Sequence, residues 1–224
     1  MKNKIFIACD TVKIKKIREI LKNSKNNKLN LGYKFGLEFI NSKGGRRFIS
    51  KLKKEKIFLD LKLHDIPNTC LSTIKAIKDL KVDYVTIHIS SGIEALKAVK
   101  KISGKIKILG VTTLTSLNEK SLREIGFNKK INSLVLHQVK LAKKANLDGV
   151  VCSANEVKKI RRLFKKEIIT PGIRFDKKKY DQKRVTSPLQ AYENGSDWLV
   201  IGRPITRGNI KNNIQKLINH LDNG

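Results

Sequence analysis

Within the stretch LDLKLHDIPN, Asp60, Lys62, His64 and Asp65 fall inside six residues, and Pro67 follows at once. An ammonium set between carboxylates in a pocket is held protonated, and it orients and partly neutralises its partners. That chemistry suits either catalysis or the handling of a phosphate. A structural ion pair is the plain alternative. Burying charges costs about as much as their attraction returns, so stability alone explains this cluster poorly. Side chains two apart on a strand share a face. Asp60 and Lys62 are therefore expected to point together toward a barrel axis, with Leu59, Leu61 and Leu63 facing a layer of helices.

Such a cluster needs a scaffold, and the chain supplies a regular one. Short apolar, β-branched runs predict strands at 5–10, 31–34, 57–63, 84–88, 106–111, 149–152, 168–170 and 198–201. Amphipathic patterns between them predict helices at 14–21, 46–53, 69–80, 93–101, 131–145, 155–164, 189–194 and 209–221. Ser187-Pro188 reads as an N-cap followed by the first helical position, and Gly195 as a helix stop. Eight strands each followed by a helix imply parallel pairing with right-handed crossovers. A doubly wound open sheet could absorb this alternation. An α/β fold of the (β/α)8 TIM-barrel type is favoured, as one domain over 1–224, because the count closes at eight. Polar residues also recur at strand ends: Asp10, Lys34, Asp60 with Lys62, His88, Thr112, Ser153, Thr170 and Gly202 with Arg203. In a barrel of this type those ends form the active-site face.

Composition narrows the function classes. The 224 residues are 40% hydrophobic, enough for a sizeable core, and no apolar run nears the roughly 18 residues of a membrane span. MKNKIFIACD reads as a first strand and not a signal peptide, because it ends in Asp10 without a small-residue cleavage site. Cys9, Cys70 and Cys152 are odd in number and lack CxxC spacing, which points to free thiols in a reducing cytosol. A net charge of +30 suggests nucleic acid. Against that, the lysines are spread along the whole chain, and aromatics are only 6%, too few for an obvious base-stacking platform. No specific nucleic acid is expected, although the charge should steer anionic small molecules to the protein. His64 and His88 read as structural histidines, and His137 and His220 stand in no motif.

The run Asp60-x-Lys62-x-x-Asp65-Ile66-Pro67-Asn68-Thr69 resembles the signature of the orotidine 5′-monophosphate decarboxylase family, of bacterial type. DIPNT makes the likeness specific. DxKxxD alone is shared with Mg2+-dependent hexulose-phosphate synthases and ketogulonate-phosphate decarboxylases, which are the runner-up reading. The resemblance runs along the whole chain in the right order, through IFIACD, YKFGLEF, GVTTLTS, TPGIR and VIGRPIT. Two departures stand out. Ile89 follows His88 where the family usually has a small residue, and is expected to narrow that side of the barrel mouth. The gap from Arg174 to Gln182 is a residue shorter than expected.

The resemblance implies decarboxylation of orotidine 5′-monophosphate to UMP and CO2, the last step of de novo pyrimidine synthesis, in the cytoplasm. It implies no cofactor and no metal. Lys62 would stabilise charge at C6 and donate the replacing proton, with Asp60 and Lys34 holding it in place. Asp65 would sit near the departing carboxylate, supplied with Ile66 and Thr69 across a homodimer interface. Asp10 and Lys34 would contact the ribose, and Thr115 with Ser116 the pyrimidine. Pro171, Arg174, Gln182, Gly202 and Arg203 would bind the phosphate and close over the pyrimidine. The segment 171–187, longer than the other loops, is expected to be a gripping loop.

Overall fold

The computed structural model describes residues 2–175 and 186–222. Eight parallel strands close on themselves in sequence order: β1 (Lys4–Ala8), β2 (Asn30–Gly36), β3 (Ile57–Leu63), β4 (Tyr84–His88), β5 (Lys107–Val111), β6 (Gly149–Val151), β7 (Glu167–Thr170) and β8 (Trp198–Ile201). The helices are α1 (Ile14–Asn23), α2 (Leu37–Ile40), α3 (Gly45–Ile49), α4 (Pro67–Ala76), α5 (Gly92–Ile102), α6 (Glu119–Glu124), α7 (Ile131–Lys144), α8 (Ala154–Leu163), α9 (Pro188–Glu193), α10 (Arg203–Thr206) and α11 (Ile210–Asp222). The expected (β/α)8 barrel is therefore the fold, and the open-sheet alternative is excluded by the β1–β8 pairing.

Alternation along the strands sorts side chains into two apolar layers. Ile5, Ile7, Leu59, Val85, Ile87 and Ile201 belong to the outer one, between strands and helices. Phe6, Phe58, Tyr84, Leu109, Ile169, Trp198 and Val200 form a separate inner cluster. Its aromatic members fill the N-terminal half of the barrel. Phe6 stacks on Trp198 at 4.2 Å and meets Phe58 and Tyr84 edge-on at 5.1 and 5.2 Å. Gly32 makes this possible, since a Cβ there would lie 2.5 Å from the Phe6 ring. Higher up, the inward positions carry small residues such as Ala8, Val111 and Val200, and a pocket opens.

The strand starts are tied together by acidic residues at the same end as the aromatic plug. Asp83, Asp148 and Asp197 each accept a hydrogen bond from the backbone N–H of a neighbouring strand, from Ile57, Ile108 and Ile168 at 2.7 to 2.8 Å. Lys56, Lys100 and Arg161 pair with them.

Some expectations are corrected. The helix expected at 46–53 is only the short α3, which Gly44 at φ +86° opens and which ends at Ile49; the equally short α2, not expected, precedes it. Thr112, Ser153 and Thr170, expected at the mouth, have structural partners. Thr112 donates to the Val151 carbonyl, Ser153 forms a capping box with Glu156, and Thr170 bonds Ser196 at 2.7 Å. Ile89 does not narrow the mouth. It packs fully buried in the outer layer over Gly110, where a Cβ would come within 2.8 Å of it. Ser187 caps α9 as expected, accepting from the Gln190 N–H, and Gly195 turns the chain at φ +104°.

Candidate active site

The pocket at the C-terminal end of the barrel has a volume of about 260 Å³. Asp10, Lys34, Asp60, Lys62, Thr115, Pro171, Arg174, Gly202 and Arg203 all line it, over an apolar floor of Ala8, Phe58, Val111, Val151 and Val200. Nine of the expected site residues, from six different strand ends, thus converge on one cavity. Asp65, Ile66, Thr69 and Ser116 do not. All four are exposed, and Asp65 accepts a hydrogen bond from the Ile66 N–H beside it. Gln182, and the 176–185 part of the expected gripping loop, lie outside the described residues. The ends of that loop are joined, Arg174 N–H to the Thr186 carbonyl at 3.0 Å and Thr186 N–H to the Gly172 carbonyl at 3.3 Å.

A chain of alternating charges crosses the pocket above this apolar floor. Lys62 Nζ donates to Asp60 Oδ2 at 2.7 Å. Lys34 Nζ lies 3.5 Å from the same oxygen and donates to Asp10 Oδ1 at 3.1 Å. Exposure grades along the chain: the Lys34 and Asp60 side chains are 11% and 12% exposed, Lys62 36% and Asp10 61%. The two inner groups form a fixed core, and the Lys62 ammonium reaches out into the cavity. Burial alone would raise the pKa of Asp60, but Lys34 and Lys62, with hydrogen bonds from Lys62 and Thr86, outweigh it and hold the carboxyl below its ordinary value. Burial likewise pulls Lys34 down, and the carboxylates of Asp60 and Asp10 more than offset it, so its pKa is raised. Asp60 and Lys34 are both charged across the neutral range.

Plain strand alternation does not fully describe how Lys62 reaches the pocket. The β3–β4 ladder runs Phe58↔Tyr84 and Leu59↔Val85, then resumes only at Leu63↔Ile87. β3 thus advances four residues while β4 advances two. Lys62 sits in this bulge at φ +48°, a left-handed conformation that costs a side-chain-bearing residue about 1 to 2 kcal/mol. Strain of this kind concentrates where a side chain must be aimed. Leu59 and Leu61 still join the outer layer, and Leu63 packs against it, as expected.

Sequence reasoning missed Thr86, fully buried on β4, whose hydroxyl donates to Asp60 Oδ1 at 3.0 Å. The one available signal was a polar residue at the inward position two before His88. The ring of His88 lies 5.1 Å from that of His64, and Ser90 Oγ is 3.3 Å from His64 Nε2. Burial, and then His64 and Lys62, hold the pKa of His88 down against the pull of Asp60. His88 is therefore neutral at neutral pH, and neither histidine lines the pocket.

A model of the orotidine 5′-phosphate decarboxylase / HUMPS family matches residues 3–215. The chain belongs to this family. Orotidine 5′-phosphate decarboxylase of Wolbachia sp. subsp. Brugia malayi is 42% identical, with 96% of this chain and 97% of the relative covered. The decarboxylase of Carboxydothermus hydrogenoformans is 44% identical, covering 92% of this chain and 90% of the relative. The crystal structure of orotidine 5′-phosphate decarboxylase from Lactobacillus acidophilus matches with a TM-score of 0.84 at 32% identity, over 99% of this chain and all of that one. The family's barrel is thus reproduced from end to end.

Proposed function

We propose that this chain is a carboxy-lyase that converts orotidine 5′-monophosphate to UMP and CO2, in pyrimidine biosynthesis, through a C6 carbanion stabilised and protonated by Lys62. The observation that carries the reading is the Lys34–Asp60–Lys62 chain lining the pocket, in a chain whose near-full-length relatives are named orotidine 5′-phosphate decarboxylase.

Breaking the C6–carboxylate bond leaves an electron pair in an sp2 orbital with no adjacent π-system to take it. Preorganised charge can stabilise that pair where no electron sink is at hand. The Lys62 ammonium is held by Asp60 and directed into the cavity. It faces the developing carbanion, gives its proton to C6 as neutral CO2 departs, and regains one from solvent. Asp60 stays ionised throughout, since two ammonium groups flank it. Lys34 fixes Asp60 and, with Asp10, meets the ribose hydroxyls. Thr115 and Ser116 bind the pyrimidine. Pro171, Arg174, Gln182, Gly202 and Arg203 hold the phosphate and close over the base. Binding energy from that non-reacting phosphate supports the chemistry at C6.

Asp65, Ile66 and Thr69 act in the site of a second copy, within a homodimer that uses no cofactor. The support for this is their exposure beyond the end of β3, with Ile66 66% exposed. A cytoplasmic location fits the three free, buried cysteines.

The test is to treat the protein with a chelator, add orotidine 5′-monophosphate and follow the orotate absorbance. Loss of absorbance without added metal is expected. No change, together with Mg2+-dependent turnover of a hexulose or ketogulonate phosphate, would overturn the reading.

A further inference from the structure

Thr86 lies beneath the pocket-lining residues, yet its one hydroxyl touches both halves of the Asp60–Lys62 pair. The Lys62 backbone N–H donates to Thr86 Oγ1 at 2.8 Å, and Thr86 donates to Asp60 Oδ1 at 3.0 Å. A hydroxyl has a single proton. With the amide N–H occupying a lone pair, that proton is directed to Asp60. The other carboxylate oxygen, Oδ2, receives the Lys62 ammonium. A closed circuit results, running from the Lys62 amide through Thr86 and Asp60 back to Lys62 Nζ.

The circuit sits where the β3–β4 ladder is interrupted and Lys62 takes its left-handed backbone. Thr86 Oγ1 supplies the acceptor that an unbroken ladder would otherwise provide. Here the same atom holds the strained backbone and orients the carboxylate that aims the ammonium.

We infer that Thr86 is a positioning residue for the reaction, its hydroxyl locking the Lys62 bulge and setting Asp60 so that Lys62 Nζ faces the reacting carbon. The inference rests on the function proposed above for this pocket.

Thr86→Val keeps the shape and removes the hydroxyl, while Thr86→Ser keeps the hydroxyl. For Thr86→Val we expect kcat on orotidine 5′-monophosphate to fall about 10- to 100-fold, the loss of a hydrogen bond to a charged group, with KM changed less than about threefold. One of the interactions holding Asp60 below the ordinary carboxyl range is lost, so the acid limb of the kcat profile should move to higher pH. Hydrogen exchange of the Lys62 amide should quicken. Thr86→Ser should restore all three readouts. If Thr86→Val does not fold, Thr86→Ala takes its place.

Wild-type kcat and pH profile in Thr86→Val, with only a lower Tm, would overturn the inference. Wild-type protein inactive on orotidine 5′-monophosphate would defeat the functional reading instead. The amide-exchange arm still decides then, and unchanged protection of Lys62 in Thr86→Val would refute the lock.

Discussion

Both ends of this barrel are built with lysine–carboxylate pairs, and they use them in opposite ways. At the N-terminal end, Asp148 takes both oxygens to within 2.7 Å of Lys100 and also accepts the Ile108 N–H. Asp83 and Asp197 follow the same pattern with Ile57 and Ile168. There the charges tie strand starts together beneath an aromatic plug. At the C-terminal end Asp60 bonds no backbone group of its neighbours among the described residues. Its partners are two ammonium groups and one hydroxyl, and one of those ammonium groups opens onto a cavity. Charge composition therefore does not mark a reactive site. What separates the two ends is whether the carboxylate's oxygens end on strand backbone or on side chains that face open space.

This contrast can be broken most sharply by Lys62→Ala. Losing both the charge at C6 and the proton donor should cut turnover by about 10⁴-fold or more. The urea midpoint should stay near that of the wild type, because Lys34 keeps Asp60 paired. Near-normal steady-state kinetics in this variant would sink the role given to Lys62. Asp148→Ala should do the reverse. It leaves Lys100 and the Ile108 N–H without their partner, and urea unfolding should show a loss of about 2 to 4 kcal/mol with kcat unchanged. The smallest effect sharpens the comparison within the reactive end itself. Lys62→Gly should be more stable than Lys62→Ala by about 1 kcal/mol, since glycine relieves the left-handed backbone at φ +48°. Equal unfolding midpoints for the two inactive variants would show that the bulge stores no strain.

Much of this was legible in the chain. The strands at 57–63, 84–88 and 198–201 carry the bounds their apolar and β-branched runs predict. The helix expected at 46–53 was drawn too long because α3 ends at Ile49, and a five-residue helix is too short for periodicity over longer windows to bound. At the site, Asp60 and Lys62 were found by residue type and spacing. Asp10, Lys34 and Arg203 stood out as polar residues at strand ends, and Thr115 and Arg174 came from likeness to a family. Thr86 went unnoticed, because a lone threonine in a strand has no local feature that distinguishes a hydroxyl facing a carboxylate from one satisfied elsewhere. Thr112, Ser153 and Thr170 are the converse, polar strand-end residues whose partners are backbone, a helix cap and a neighbouring serine.

By itself the sequence determined the alternation of eight strands with helices, the face each strand buries, and the charged tool at the end of the third strand. These are local properties, set by side-chain period and residue chemistry. Tertiary structure alone decided that large aromatics stop one end of the barrel while small residues open the other. It also decided that a two-residue slip between β3 and β4 would turn the Lys62 backbone onto Thr86. Both depend on which residue of one strand lies beside which residue of the next, and that register exists only once the barrel has closed.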